Sequence, residues 1–348
     1  MTDFSAHPWL SGLLGDPEVA AIFSAEAELA RFFKVEAAWT RALGAVGNAP
    51  EAEAVANIIE GAQIDPHSLK DGVSKDGIPI PALVGQLKAL AGPDAAQFVH
   101  KGLTSQDVMD TSLMLALGEV ISRMKARLDA LDAQLGDLQT LLGSATLFAY
   151  TRMQPAMETN AADVIGRWRQ PLRKLLKDVS TAEHDCKIIQ WGGPIGARDH
   201  PQATDLGAVF AQNLGLVDPG RAWHTDRTVI LQVAQTLARI TVTTGKIGED
   251  IALMAAIGSE QIVLSSGGAS SAMPHKNNPV KAEALISLSN LTASLQASLI
   301  MAARHEGFRS GKAWTLEQLV LQQICETAGA SLIQAKELLN SVKAIGCA

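Results

Sequence analysis

Residues 265–279 read Ser-Ser-Gly-Gly-Ala-Ser-Ser-Ala-Met-Pro-His-Lys-Asn-Asn-Pro and separate two long segments that have the periodicity of helices. A pair of serine hydroxyls begins at Ser270, followed by the positive charge of Lys276 and the amide donor of Asn278. Pro279 suits the first turn of a following helix, whose N-terminal end favours bound anions. The stretch is therefore predicted to be a loop that binds a carboxylate and stabilises negative charge developing on it. A flexible Ser/Gly linker is the alternative for its first half only, because Met-Pro-His-Lys-Asn-Asn-Pro is not linker composition.

Apolar residues recur along the chain with helical spacing. In the clearest run the apolar positions are separated alternately by three and four residues, which is typical of a helix seam in a bundle. Its members are Ile121, Met124, Leu128, Leu131, Leu135, Leu138 and Leu142. Further long helical segments are predicted at about 16–46, 160–188, 226–259, 280–304 and 314–343. The predicted fold is all-α, a long-helix bundle, with a short strand candidate at 187–191.

The chain length and the positions of glycine and proline predict two domains. A chain of 348 residues exceeds the usual size of a single hydrophobic core. Glycine and proline cluster at 72–93, which is a natural place for a first domain to end. We therefore predict an N-terminal helical domain at 1–95 and a central long-helix bundle domain at 96–348.

Composition excludes several classes of function. The net charge of −7 and the lack of a basic run argue against nucleic-acid binding. Three cysteines without metal-site spacing, Cys186, Cys325 and Cys347, predict neither a disulfide framework nor a zinc site. The uncharged stretch between Glu283 and Arg304 is long enough to span a bilayer, but its Ser, Thr, Asn and Gln residues favour a helix buried in a protein bundle. We expect a cytoplasmic protein with a small-molecule ligand and no membrane segment.

The loop at 265–279 resembles the signature of the fumarase/aspartase superfamily of all-helical lyases, Gly-Ser-Ser-x-Met-Pro-x-Lys-x-Asn-Pro. The chain departs from it only at Ala269, which predicts reduced loop freedom because alanine tolerates a positive φ poorly. The resemblance implies that Ser270 is the general base that removes a proton next to a carboxylate. It also implies that Lys276 and Asn278 hold the resulting aci-carboxylate, and that the substrate is contacted by Ser271 and Met273.

A second segment, His100-Lys-Gly-Leu-Thr-Ser-Gln-Asp107, resembles the superfamily's His-x-Gly-x-Thr-Ser-x-Asp. The resemblance implies that Thr104 and Ser105 hydrogen-bond a substrate carboxylate. The alternative is an N-capping segment that starts a helix. Both interpretations can hold together, since a helix start also binds anions.

A third segment, Thr151-Arg-Met-Gln-Pro-Ala156, is similar to the superfamily's Thr-His-x-Gln-x-Ala. Thr151 and Gln154 match, but Arg152 replaces the histidine. Arginine cannot act as an acid near neutral pH, although it can pair with a carboxylate through two hydrogen bonds. The departure argues against fumarase, argininosuccinate lyase and adenylosuccinate lyase chemistry, and indicates a carboxylate-rich substrate whose leaving group needs no proton.

Two other stretches are similar to bacterial 3-carboxy-cis,cis-muconate cycloisomerases. They are Trp223-His-Thr-Asp-Arg227 and the segment 304–318, which begins Arg-His-Glu. They make His224 and His305 candidate site residues, with capping or packing as the alternative for each. Arg304 and Arg309 are either solvent-facing or part of the site, and the sequence does not decide between these.

The resemblance implies a homotetramer in which three subunits contribute segments to each site. It implies closure of a tricarboxylate, 3-carboxy-cis,cis-muconate, to 4-carboxymuconolactone without a metal or organic cofactor, as in protocatechuate degradation. The superfamily's C-terminal domain is predicted to be reduced or absent. Two alternatives stay open: another superfamily lyase such as adenylosuccinate lyase, or a catalytically idle helical scaffold.

Overall fold

The computed structural model describes residues 7–256, 259–265, 267–269 and 277–346. The short helices at the N-terminal side are α1 Ser11–Leu14, α2 Pro17–Ile22, α4 Glu51–Glu60, α5 Lys70–Asp76 and α6 Ile80–Ala91, with the longer α3 Ala25–Gly47 among them. The remaining helices are α7 Ser105–Leu142, α8 Ala161–Asp185, α9 Ala203–Leu214, α10 Thr228–Met254, α11 Val280–Ala302 and α12 Gly311–Asn340. The predicted all-α class is confirmed.

The predicted seam lies along α7, the longest helix described. Six of its seven members are buried, and Leu142 packs against the same cluster. This side of α7 contacts α8 and α12, while α10, α11 and α12 pack closely against one another. The seam therefore works as predicted, as a packing stripe that holds long helices side by side.

The predicted helix at 16–46 is two helices, because side chains cap both starts. Asp16 accepts hydrogen bonds from the amides of Glu18 and Val19, which begins α2. Ser24 accepts from the amide of Ala27 at 3.2 Å, which begins α3 immediately after α2 has ended. A polar residue that can cap a helix interrupts an apolar pattern that would otherwise read as continuous.

Two clusters of buried side chains form the core. One surrounds the seam and includes Trp168 and Trp223. The other joins α3, α4, α6 and α9, with Trp39 packed edge-on against Phe210. The Gly/Pro cluster at 72–93 contains α6, whose Leu83 and Leu87 are fully buried in this second cluster. The domain division at residue 95 stays a prediction.

Short strands occupy one end of the molecule. β1 Thr146–Thr151 and β2 Gln154–Asn160 form a hairpin that the sequence did not suggest. β3 Ile262–Leu264 pairs with β6 Val342–Ile345, and β4 Gly268–Ala269 pairs with β5 Asn277–Asn278. The strand predicted at 187–191 does not form. Ile188 makes one isolated bridge with Val217, because the neighbouring amide of Gln190 donates instead to the hydroxyl of Thr111 on α7.

One helix among the described residues, α11, is long and apolar enough to cross a membrane by length and composition. Leu285, Leu288 and Thr292 are buried, and Thr292 hydrogen-bonds Thr327 of α12. Ile300 and Met301, near its end, are exposed in the single chain. As predicted for a helix in a bundle, one side of α11 is buried, where it packs on α10 and α12.

Candidate active site

The carboxylate of Asp107, in the first turn of α7, organises the start of this helix. It accepts hydrogen bonds from the amides of Thr104, Gly192 and Gly193, each at 2.9 Å. Its fourth partner is Nε2 of His224, at 2.7 Å. Asp107 has no solvent exposure. Its buried carboxylate therefore joins the start of α7 to the loop at 192–193 and to His224. The expectation that Thr104 begins a helix is confirmed.

Close packing around His224 requires glycine in the adjoining loop. A Cβ atom on Gly192 would lie 2.6 Å from Cβ of Ala222 and 2.9 Å from Cε1 of His224. Gly193 has a φ of 67°, a conformation that other residues rarely adopt. Burial raises the pKa of Asp107, and the neighbouring His224 opposes that rise. The buried carboxylate of Asp107 thus holds His224 in place, and its role as a site residue stays a prediction.

A second buried network lies one helical turn further along α7. Arg227 donates to the two oxygens of Asp110 at 2.8 and 3.0 Å, and through Nε to Glu317 at 2.8 Å. Gln106 joins the two networks, because its amide donates both to Asp110 and to the carbonyl of His224. Burial raises the pKa of Glu317 and Arg227 lowers it. One guanidinium therefore pairs with two carboxylates that are shielded from water.

His305 lies in the loop between α11 and α12. Both of its ring nitrogens are buried, and neither has a hydrogen-bond partner among the residues that the structure describes. Burial and the nearby charge of Arg227 lower the pKa of this imidazole, against smaller opposing contributions from Asp110 and Glu306. The ring is therefore neutral near pH 7, and its nitrogens remain available to a ligand.

The lowered pKa of His305 predicts a pH dependence of stability. Between the pKa of the unfolded chain, about 6.5, and the lowered pKa of the folded chain, the unfolded chain binds more proton at this imidazole than the folded chain does, so acidification through this range favours unfolding. We expect His305→Gln to lose less stability than wild type between about pH 7.5 and about pH 5.5, read from urea midpoints. The exposed His184 is the matched control, and His184→Gln should follow wild type. Equal losses for His305→Gln and wild type would contradict the argument.

Arg309 lies in this region. The sequence did not decide whether it faces solvent or forms part of the site. Its Nη1 donates to the hydroxyl of Thr104 at the start of α7. The next residue, Ser310, caps α12 by accepting from the amide of Ala313. The loop at 303–310 therefore lies against the predicted carboxylate-binding segment that contains Thr104 and Ser105.

The other predicted site residues lie elsewhere. Thr151 and Gln154 pair at the end of the exposed β1–β2 hairpin, and Arg152 with Met153 forms its two-residue turn at φ values of 50° and 67°. Asn278 lies in β5 opposite Gly268. Four predicted residues lie outside the described part of the chain: Ser270, Ser271, Met273 and Lys276. Their roles stay predictions.

The stem of the signature loop is closely packed. A Cβ atom on Gly267 would lie 1.9 Å from Oδ1 of Asn277, and one on Gly268 would lie 2.5 Å from a methyl of Val280. These two glycines therefore permit close approach of neighbours. Ala269 lies in strand β4, where an extended backbone suits alanine, so it does not need the positive φ considered above.

Helix lengths separate the three signature segments. α7 has 38 residues, which corresponds to about 57 Å between Thr104 and the β1–β2 hairpin. α10 and α11 have 27 and 23 residues, or about 40 and about 35 Å. α10 runs from the α7 start toward the β4–β5 stem, and α11 returns from that stem. A single chain therefore has Thr104, His224 and His305 at one end and the other two segments at the opposite end.

The sequence alone did not identify the acidic residues that build this end of the molecule. Asp107 and Asp110 are three residues apart and so share one face of α7, which was a usable signal. Their partners were not identifiable in the same way, because Arg227 is 117 residues from Asp110 and 90 from Glu317 along the chain.

The lyase family matches residues 16–291, most of the chain. The chain belongs to this family, which is part of the fumarase/aspartase superfamily. It is therefore an enzyme of that superfamily, and both the superfamily resemblance and the all-α long-helix fold expected from it are confirmed.

Relatives of this lyase-family member have more than one activity. A 3-carboxy-cis,cis-muconate cycloisomerase of Pseudomonas aeruginosa is 30% identical over 99% of this chain and 77% of its own length. A nitrosuccinate lyase of Streptomyces davaonensis is 30% identical over 95% of this chain and 74% of its own length. The crystal structure of 3-carboxy-cis,cis-muconate lactonizing enzyme from Pseudomonas putida superposes with a TM-score of 0.90 at 26% identity, covering 97% of this chain and 77% of that one.

Proposed function

We propose that this lyase-family enzyme is a 3-carboxy-cis,cis-muconate cycloisomerase that forms 4-carboxymuconolactone, a step of aromatic catabolism through protocatechuate. The observation that carries the proposal is the similarity to a cycloisomerase over 99% of the chain. The replacement of the superfamily's histidine by Arg152 supports it, because the reaction requires no acid for its leaving group.

In the proposed reaction one substrate carboxylate oxygen forms a bond to a carbon of a double bond. The electron pair of that double bond moves toward the carbon next to another carboxylate, giving an aci-carboxylate, and a proton then reaches that carbon. In the reverse direction the lactone oxygen leaves as a carboxylate anion, which is stable without protonation. Arg152 can bind a carboxylate through two hydrogen bonds, so it suits this substrate although it cannot donate a proton.

The residues of the signature loop would perform the proton transfer. Ser270 would deliver or remove the proton, while Lys276 and Asn278 would stabilise the additional negative charge of the aci-carboxylate. A serine hydroxyl is a poor base unless its alkoxide is stabilised. Closure of the loop over the substrate, which excludes water and brings Lys276 close, is therefore part of the proposal. Ser271 and Met273 would contact the bound substrate.

We propose further that the enzyme is a cytoplasmic homotetramer with sites shared between subunits, acting without a cofactor and binding neither nucleic acid nor membrane. The separation of about 35 to about 57 Å between Thr104 and the described parts of the other two segments supports shared sites, since one chain places them at opposite ends. The β1–β2 hairpin exposes Phe148, Tyr150, Met153 and Met157. Such an apolar surface is suited to burial against a second copy.

A lyase that acts on nitrosuccinate is the second candidate. One relative with that name is 30% identical over most of this chain. A nitro group that leaves as nitrite, like the internal carboxylate, needs no proton, so Arg152 is compatible with this reaction as well.

An ultraviolet assay distinguishes the two candidates. The conjugated diene of 3-carboxy-cis,cis-muconate absorbs, whereas the lactone largely does not. Rapid loss of absorbance with purified enzyme is the expected result, together with no nitrite release from nitrosuccinate. Nitrite release without consumption of the muconate would overturn the cycloisomerase proposal in favour of the second candidate. Turnover of neither, by a folded oligomer, would reject both.

A further inference from the structure

We propose that Arg309 is a specificity-determining residue, which binds one carboxylate of the substrate at the junction of the α7 and α12 starts. The inference rests on the proposed function, because it names a residue that distinguishes a tricarboxylate from a dicarboxylate in that site. The superfamily signature does not include Arg309, and the sequence alone left its location open.

The position of Arg309 joins two helix N-termini. Its Nη1 donates to the hydroxyl of Thr104, which precedes α7. Arg309 itself immediately precedes Ser310, the N-cap of α12. Both helices are long, with 38 and 30 residues, and their starts are already capped, by the Thr104–Asp107 capping box and by the Ser310 hydroxyl. The guanidinium of Arg309 therefore supplies the full positive charge at this junction.

The charge of Arg309 is not neutralised by the part of the chain that the structure describes. No carboxylate oxygen in that part lies within 4.0 Å of a guanidinium nitrogen of Arg309. In contrast, the guanidinium of Arg227 forms ion pairs with Asp110 and Glu317. The nearest acidic residue along the loop, Glu306, instead accepts from Ser310 and pairs with Lys312. A guanidinium carries five N–H donors, so Arg309 keeps donors for a ligand after bonding Thr104.

Hydrogen bonds within the loop hold the segment that carries Arg309. The hydroxyl of Ser310 donates to Glu306 at 2.5 Å and also accepts from the amide of Ala313. Gly307 makes the bend with a φ of 61°. A preorganised arginine loses less conformational entropy on binding a carboxylate. The ligand class is therefore a carboxylate that can accept two parallel hydrogen bonds, placed at the Arg309 guanidinium beside Thr104.

The test compares substrates that differ by one carboxylate. Arg309→Gln should raise KM for 3-carboxy-cis,cis-muconate about 10- to 100-fold with kcat within a few-fold of wild type, since one charge-assisted contact is lost. The effect on cis,cis-muconate, which has two carboxylates, should be much smaller. Arg309→Lys should recover part of the loss. Arg304→Gln, in the same loop without a contact to Thr104, is the matched control and should behave as wild type.

A binding measurement separates this inference from the proposed function. Tricarballylate, an unreactive tricarboxylate, should raise the melting temperature of wild type and of Arg304→Gln but not that of Arg309→Gln. If tricarballylate raises the melting temperature in this pattern while the muconate is not turned over, the carboxylate site at Arg309 is supported and the cycloisomerase proposal is rejected. If wild type turns over the muconate but Arg309→Gln has an unchanged KM and the same melting shift, the role of Arg309 is overturned.

Discussion

Ser270→Ala is expected to lower kcat for 3-carboxy-cis,cis-muconate by about 10²-fold or more, with little change in KM. The serine is proposed to transfer the proton at the carbon next to a carboxylate, and removal of a positioned proton-transfer group has an effect of this size. KM should change little because Lys276, Asn278 and the α7 start would still bind the substrate. The loss of diene absorbance measures both constants.

Ser265→Ala is the matched control for this variant. Ser265 lies five residues earlier and is exposed, and its backbone amide donates to the carbonyl of Ser341. It should retain wild-type activity. Full activity of Ser270→Ala would remove the proposed base and leave the reaction without an assigned proton-transfer group.

Arg227→Met is expected to destabilise the folded protein by about 3–5 kcal/mol. Arg227 is the only described cation that pairs with Asp110 and Glu317, and all three side chains are almost completely buried. Methionine fills a similar volume but leaves two carboxylates buried without a counter-charge. Urea unfolding followed by circular dichroism measures the effect as a lower midpoint.

Two further variants keep this prediction testable if Arg227→Met does not fold. Arg239→Met removes a half-exposed cation that pairs with Asp178, and should cost at most about 1 kcal/mol. Arg227→Lys keeps the charge but not the fork of donors, so it should fold with an intermediate midpoint. An unchanged midpoint for Arg227→Met would show that the two carboxylates do not depend on the guanidinium.

The long helices were predictable because their apolar spacing is local and regular. The seam from Ile121 to Leu142 predicted which side of α7 is buried, and Thr104 predicted where that helix begins. The β1–β2 hairpin was not predicted. Its strands are largely exposed on both faces, so burial imposes no alternation, and its turn is made by Arg152 and Met153 rather than glycine or asparagine.

The site was predictable only in its signature segments. Resemblance pointed to Thr104, Ser105 and Asn278, but it did not tell where they lie relative to one another. The contact of Arg309 with Thr104 joins residues that are 205 positions apart, and no periodic pattern encodes such a pairing. The separation of the segments by whole helices likewise becomes visible only when the ends of α7, α10 and α11 are located in space.

Each site is proposed to combine segments from different copies of the chain. Subunit mixing tests this with two variants inactivated at opposite ends of the molecule. Ser270→Ala removes the proposed base, and Ser105→Asp places a negative charge where a substrate carboxylate would bind, at a helix start that tolerates an acidic residue. The variants are unfolded together in equal amounts and refolded, and each is also refolded alone.

If Ser105 and Ser270 of one site come from different subunits, random mixing gives about one quarter of the sites both wild-type residues. We therefore expect the two inactive preparations to recover about a quarter of wild-type turnover of 3-carboxy-cis,cis-muconate after mixing. Recovery confined to the mixture would establish sites shared between subunits. No recovery from a mixture that refolds to oligomers of wild-type size would show that each site is built from a single subunit.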